Sequence, residues 1–161
     1  MSVVLDRLDI AILQQLQHDC SLTNQRLAEQ VGLSPPACLK RVRRLKGRGV
    51  IQRQVALVDR AQLGPCLHMV VEVEMERDRY DLYQQFCKRV NAAPEVKQCY
   101  QVTGEVDYVL IVEVPDMAAY EQFCHRVLYE ESNMKNFRTL ISMRREKFET
   151  SVALPAVGTS A

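Results

Sequence analysis

The sequence predicts an α+β protein in two parts: an N-terminal winged helix-turn-helix of three helices, then a C-terminal ferredoxin-like βαββαβ sandwich. Three observations carry this. Apolar residues recur at three- and four-residue spacing through the first fifty positions, and after Leu63-Gly64-Pro65 the period changes to alternation. Charge is also divided: residues 1–60 hold ten Lys/Arg against five Asp/Glu, and the remaining 101 hold eleven against fifteen. A basic half joined to an acidic half is the pattern of a nucleic-acid-binding module beside one with another task.

In the first segment Leu5, Leu8, Ile12, Leu13 and Leu16 share one helical stripe, with Asp6 and Asp9 placed to cap its free N–H groups. Thr23 caps a second short helix that buries Leu27, Ala28 and Val31, and Gly32 ends it in the left-handed conformation. Ser34 is the next cap, Pro35 takes the first helical position, and Leu33 can staple onto Cys38. So short a turn makes the two helices cross steeply.

Along the third helix Cys38, Val42 and Leu45 face inward. Lys40 and Arg44 then lie opposite the core; Pro36, Ala37, Arg43 and Gly47 also fall outward, and Arg41 flanks the buried stripe. Arginine pairs with guanine edges in a major groove, and either base neutralises phosphate, so Lys40, Arg43 and Arg44 are the principal candidates for DNA contact, with Pro36 and Arg41 beside them. A basic run is more often a solvated helix face. Here it coincides with a cap, a glycine turn and a second cap, which favours double-stranded DNA as a partner. Backbone contacts are expected from the helix starts at Thr23, Asn24, Ser34 and Pro35, and from Arg53 in the extended 50–59 segment, a wing or linker strand.

In the second half, Leu67, Met69, Val71, Val73 and Met75 alternate with His68, Val70, Glu72, Glu74 and Glu76, as in a half-exposed strand. Tyr83, Phe86, Cys87 and Val90 give a helix, 96–103 and 108–114 give strands, Tyr120 to Leu128 a second helix capped by Asp116, and 137–143 the last strand. Two helices on one sheet face leave the other open, which predicts a homodimer packed sheet to sheet. The expected divisions are a DNA-binding domain over 1–50, a linker over 51–65, an effector and assembly domain over 66–150, and a tail over 151–161.

Other classes find less support. The six cysteines never form a C-x-x-C pair, and His18, His68 and His125 are dispersed, so neither a metal site nor a cofactor is expected. No phosphate-cradling glycine loop or nucleophile motif appears, so no catalytic residue is assigned and an enzyme is disfavoured, although small ferredoxin-like domains sometimes catalyse reactions. The opening MSVVLDRLDIAIL lacks the plan of a signal peptide or a membrane span, so a cytoplasmic protein is expected. A DNA-organising protein without an effector is the remaining alternative.

The stretches LDRLDIAIL at 5–13, LAEQVGLS at 27–34, RVRRLKGRGVI at 41–51, TGEVDY at 103–108 and TLISMRREK from 139 resemble the leucine-responsive/AsnC (Lrp/AsnC) family of bacterial and archaeal regulators. The likeness covers nearly the whole chain. It implies dimers that often assemble further into octamers or similar rings, contact several DNA sites, and respond to an amino acid or related metabolite. It further implies an effector site between protomers near the G-x-x-D-Y turn, which nominates Thr103, Gly104, Val106, Asp107 and Tyr108, then Met117 and Tyr129, then Thr139, Leu140, Ile141 and Ser142. From the residues alone, the turn amides can receive a carboxylate, while Asp107 either accepts an ammonium or anchors the loop; an ordinary hairpin turn has the same composition. The chain departs from the family pattern at Ser21, at Arg26 and in YEESNMK at 129–135, which lacks the usual proline-glycine turn.

Overall fold

The computed structural model describes residues 4–155 and divides into two compact units. One comprises the residues up to Leu57 together with those from Lys147 onward; the other runs from Val58 to Glu146. The C-terminal segment therefore belongs with the N-terminal helices.

In the first unit α1 (Arg7–His18), α2 (Asn24–Val31) and α3 (Pro35–Gly47) enclose Ile12, Leu13, Leu27, Ala28, Cys38 and Leu45. Asp6 and Asp9 form a reciprocal capping box at the start of α1. Gly32 closes α2 at φ 68°, where a side chain would be strained. Ser34 occupies the N-cap position of α3, but its hydroxyl makes no capping bond. A different bond ties the turn: the Asn24 side-chain amide donates to the Pro35 carbonyl at 2.8 Å and pins the start of α3 from the side of α2, without capping its free N–H groups. The expected wing or linker strand is not paired: among the described residues 52–59 has no strand partner, and it leads into a 3₁₀ turn at Arg60–Leu63.

The second unit is a four-stranded antiparallel sheet in the order β2-β3-β1-β4, built from β1 (Leu67–Met75), β2 (Val96–Gln101), β3 (Tyr108–Val114) and β4 (Met134–Ile141). Register follows the alternation: Met69, Val71 and Val73 oppose Val112, Leu110 and Tyr108, and all six are buried beneath the helices. α4 (Tyr80–Ala92) contributes Phe86 and Val90 to this core, and α5 (Met117–Phe123) contributes Tyr120 and Phe123. α5 does not end as an ordinary helix. Its backbone widens into a π-helical turn over Cys124–Tyr129, a change that apolar spacing does not reveal because Val127 and Leu128 remain buried.

The 129–135 stretch has its own lock in place of a proline-glycine turn. Asn133 is buried; its side-chain amide donates to the Arg77 carbonyl at 3.0 Å, and its side-chain carbonyl accepts the Arg77 N–H at 3.1 Å. β4 accordingly begins at Met134 and ends at Ile141, earlier at both ends than apolar content indicates.

The other sheet face carries half-buried Val70, Val109 and Ile111 beside exposed Leu140 and Tyr100. Glu72 pairs with Arg138, and Glu74 with Lys135, across β1 and β4. No helix among the described residues is long and apolar enough to cross a membrane.

Candidate functional site

The basic residues of α3 separate into two rows. Arg41 and Arg44 both turn toward Asp9 of α1, whose carboxylate is only 1% exposed. Arg41 donates to Asp9 at 2.9 Å and to Asp6 at 2.6 Å, while the Arg44 guanidinium engages both oxygens of Asp9. The Arg41 guanidinium beside Asp6 holds that carboxyl below its ordinary value. Arg44 is therefore an anchor of the helix pair, not the outward-reaching base that helical geometry alone suggests.

Pro36, Lys40, Arg43 and Gly47 form the second row, at the four- and three-residue spacing of one helix face, and all are exposed. Neither Lys40 nor Arg43 has an intramolecular ion-pair partner among the described residues. Ser34 and Pro35 are exposed at the start of the same helix, and Arg53 is exposed in the following segment. Thr23 is occupied by its cap to the Arg26 N–H.

In the sheet unit the Gly104 turn is open. Gly104 sits at φ 128°, and a Cβ there would meet no atom within 4 Å. The Asp107 carboxylate is committed internally: one oxygen accepts the Met75 N–H at 2.7 Å and the other the Tyr83 hydroxyl at 3.2 Å. Burial together with that carboxylate pushes the Tyr83 phenol up to about 12. Of the two roles the residues allow Asp107, the contacts are those of a loop anchor. Tyr108 is buried in the core, its ring against Phe86 and edge-on to Tyr83.

Met117 and Tyr129 come together, exposed on the walls of a groove of about 760 Å³ that is also lined by Tyr120, His125 and Phe137. The rings of His125 and Tyr129 lie 5.2 Å apart, and those of Tyr129 and Phe137 5.4 Å. Thr139 touches the Tyr120 hydroxyl at the same edge. Val106 lines a separate depression with Glu72, Glu74, Glu105, Asn136, Phe137 and Arg138. Leu140 and Ile141 are exposed, and Ser142 lies at the far end of β4, its N–H bonded to the His68 carbonyl. Met117, Tyr129 and Thr139 thus gather at the groove and Val106 at the depression, with Phe137 lining both, while Asp107 and Tyr108 are committed to internal contacts and Ser142 stands apart beside His68. Tyr120, His125 and Phe137 carry no local sequence signal for a groove; α5, the π-helical turn and β4 respectively bring them together.

A three-helix unit with one unpaired basic row, joined to a sheet domain with an apolar groove, defines a DNA-binding transcription regulator with a ligand-binding domain. Residues 5–46 match the AsnC-type helix-turn-helix domain, and residues 68–152 match the Lrp/AsnC ligand-binding domain. The chain belongs to the Lrp/AsnC family of transcriptional regulators, which are not enzymes. It is 40% identical to the HTH-type transcriptional regulator y4tD of Sinorhizobium fredii, over 93% of this chain and 89% of that one. It is 38% identical to the leucine-responsive regulatory protein of Escherichia coli, over 89% and 87% respectively. Among solved structures, an AsnC family regulator from Agrobacterium tumefaciens superposes with a TM-score of 0.85 at 34% identity, covering 92% of this chain and 97% of that one. A Neisseria meningitidis transcriptional regulator in complex with L-methionine also gives 0.85, at 33% identity, over 93% and 97%.

Proposed function

We propose that this regulator reads duplex DNA with the Pro36, Lys40, Arg43 and Gly47 face of α3, and that an amino acid with a large apolar or aromatic side chain controls its binding. The observation that carries the first part is the division of α3: two arginines are consumed by Asp9, leaving Lys40 and Arg43 unpaired on one face. Ser34, Pro35 and Arg53 supply backbone-phosphate contacts beside it, and Thr23, Asn24, Arg41 and Arg44 hold the helices in position. Arg43→Ala is expected to weaken operator binding by about 1–3 kcal/mol without lowering Tm. Arg44→Ala is expected to lower both. Gel-shift titration paired with thermal melting checks the pair, and unchanged affinity in Arg43→Ala would remove that face from the interface.

Support for the effector class comes from the Met117, Tyr120, Tyr129 and Phe137 lining, which suits an apolar side chain, and from the methionine complex of the Neisseria relative. The free amides around Thr103, Gly104 and Val106 suit its carboxylate, while Asp107 and Tyr108 hold the turn, and Thr139, Leu140, Ile141 and Ser142 line the edge where a second protomer would complete the site. A homodimer through the open sheet face, assembling further toward an octamer, fits the exposed Leu140 and Tyr100 beside half-buried Val70 and Ile111. The working compartment is the cytoplasm. In a melting screen over the amino acids, one large apolar member at a hundred times its Kd should stabilise the protein by about 2.7 kcal/mol. Gly104→Val, strained by about 1–3 kcal/mol at its positive φ, should stay folded and lose that response. A full response in this variant would place the site elsewhere.

A further inference from the structure

The C-terminal segment is seated on the DNA-binding helices through a small set of contacts. The Gln17 side chain of α1 makes a two-way amide pair with Val152: its Nε2 donates to the Val152 carbonyl at 3.1 Å, and its Oε1 accepts the Val152 N–H at 2.7 Å. Leu154 packs against the cluster that contains Ile12, Leu13 and Leu27. Glu149 shapes the approach, one carboxylate oxygen accepting the N–H groups of both Thr150 and Ser151. Around this seat lies unfilled space of about 510 Å³, bordered by Gln14, Gln17, His18, Leu57, Val152 and Leu154. One amide pair and one half-buried leucine beside an open cleft form a contact that opens locally well before a domain unfolds.

Connectivity gives this contact a role. Only residues 142–146 separate the end of β4 at Ile141 from Lys147, where the chain rejoins the first unit. β4 carries Thr139 to Ile141 at the edge of the effector site, and α1 carries Asp9, which holds Arg41 and Arg44 of α3. Gln17 and Asp9 lie on the same rigid helix. We infer that residues 147–155 form a strap that links the last strand of the sheet domain to α1, so that seating or release of Val152 and Leu154 on Gln17 sets the order of the recognition helix. The coupling half of this inference rests on the effector reading above; the seating half stands independently. The strap is a two-state element of the kind that energetic coupling requires, because it is either paired with α1 or free.

Hydrogen exchange on the full-length protein, with DNA titration on the same samples, tests the strap. In the native chain the Val152 amide is expected to be protected. Gln17→Ala and Leu154→Asp should release it, accelerate exchange in α3 and weaken operator binding, each by about tenfold, with sheet-domain exchange unchanged. In Gln17→Ala, the milder variant, the amino acid that stabilises the parent should still bind while its effect on DNA affinity falls toward none. Free-peptide exchange of 149–154 in the native chain, or unaltered α3 exchange and affinity in both variants, overturns the strap. Protection of Val152 that disappears on dilution overturns the intrachain seat in favour of tails exchanged between copies. If no amino acid alters the native chain's DNA affinity, the effector reading fails, and the exchange comparison still decides the seating.

Discussion

Asp9→Ala is expected to destabilise the DNA-binding unit by about 3 kcal/mol and to abolish operator binding, although Asp9 is itself buried. Its carboxylate is buried and receives both Arg41 and Arg44, and it also accepts the Asp6 N–H in the capping box. Charge-assisted bonds of this kind are worth about 1.5–3 kcal/mol each, but the two arginines are partly exposed and recover some of that by returning to water. Against a typical domain stability of about 5–15 kcal/mol the net loss is large. Urea unfolding followed by a probe in residues 4–57 checks it, with Asp9→Asn falling between the parent and the alanine variant. The same cluster gives a sign to acid sensitivity. Because Arg41 depresses the folded-state pKa of Asp6, its contribution is fully present above the ordinary 3.8 and is lost as pH falls through the lower folded-state value. A parent-like melting curve for Asp9→Ala would show that α1 and α3 are held by apolar packing alone.

The second large effect belongs to the sheet unit. Phe123→Ala removes a fully buried ring at the point where α5 widens into its π-helical turn, stacked 5.9 Å from Tyr120. Deleting a buried aromatic ring costs about 3–5 kcal/mol, from lost transfer energy and the cavity left behind. Loss of the support under Tyr120 should also collapse the wall of the apolar groove. Calorimetry is expected to show the sheet-domain transition at lower temperature, with amino-acid stabilisation lost. Retention of that stabilisation would mean that the groove is not formed by the α5 wall.

Much of this architecture was legible in the residues. Period-2 alternation over 67–76 places Met69, Val71 and Val73 under the helices, and Thr23, Gly32 and Asp116 punctuate their elements as their chemistry dictates. Legibility stops where a side chain's partner is distant in sequence. Arg44 projects outward on a helical wheel, but a wheel contains no second helix; the buried Asp9 acceptor is 35 residues away. Ser34 has the composition of a cap, yet its hydroxyl makes no capping bond, and the turn is tied by the Asn24 amide on the Pro35 carbonyl. Around the ligand site, the Gly104 turn is local and visible. The aromatic groove depends on a π-helical turn and on a strand starting at Met134, neither of which leaves a periodic trace. The C-terminal segment carries no apolar period, so Leu154 offers no sign that it belongs to the first helices.

That distant membership bears on how the protein is made. A ribosome completes α1, α2 and α3 early and then builds the whole of residues 58–146 before Val152 and Leu154 are polymerised. At about 5–20 residues per second the interval is on the order of five to twenty seconds. During it the nascent chain carries its helices with the Gln17 amide still unmet, and the module is finished only after the whole sheet domain has been made.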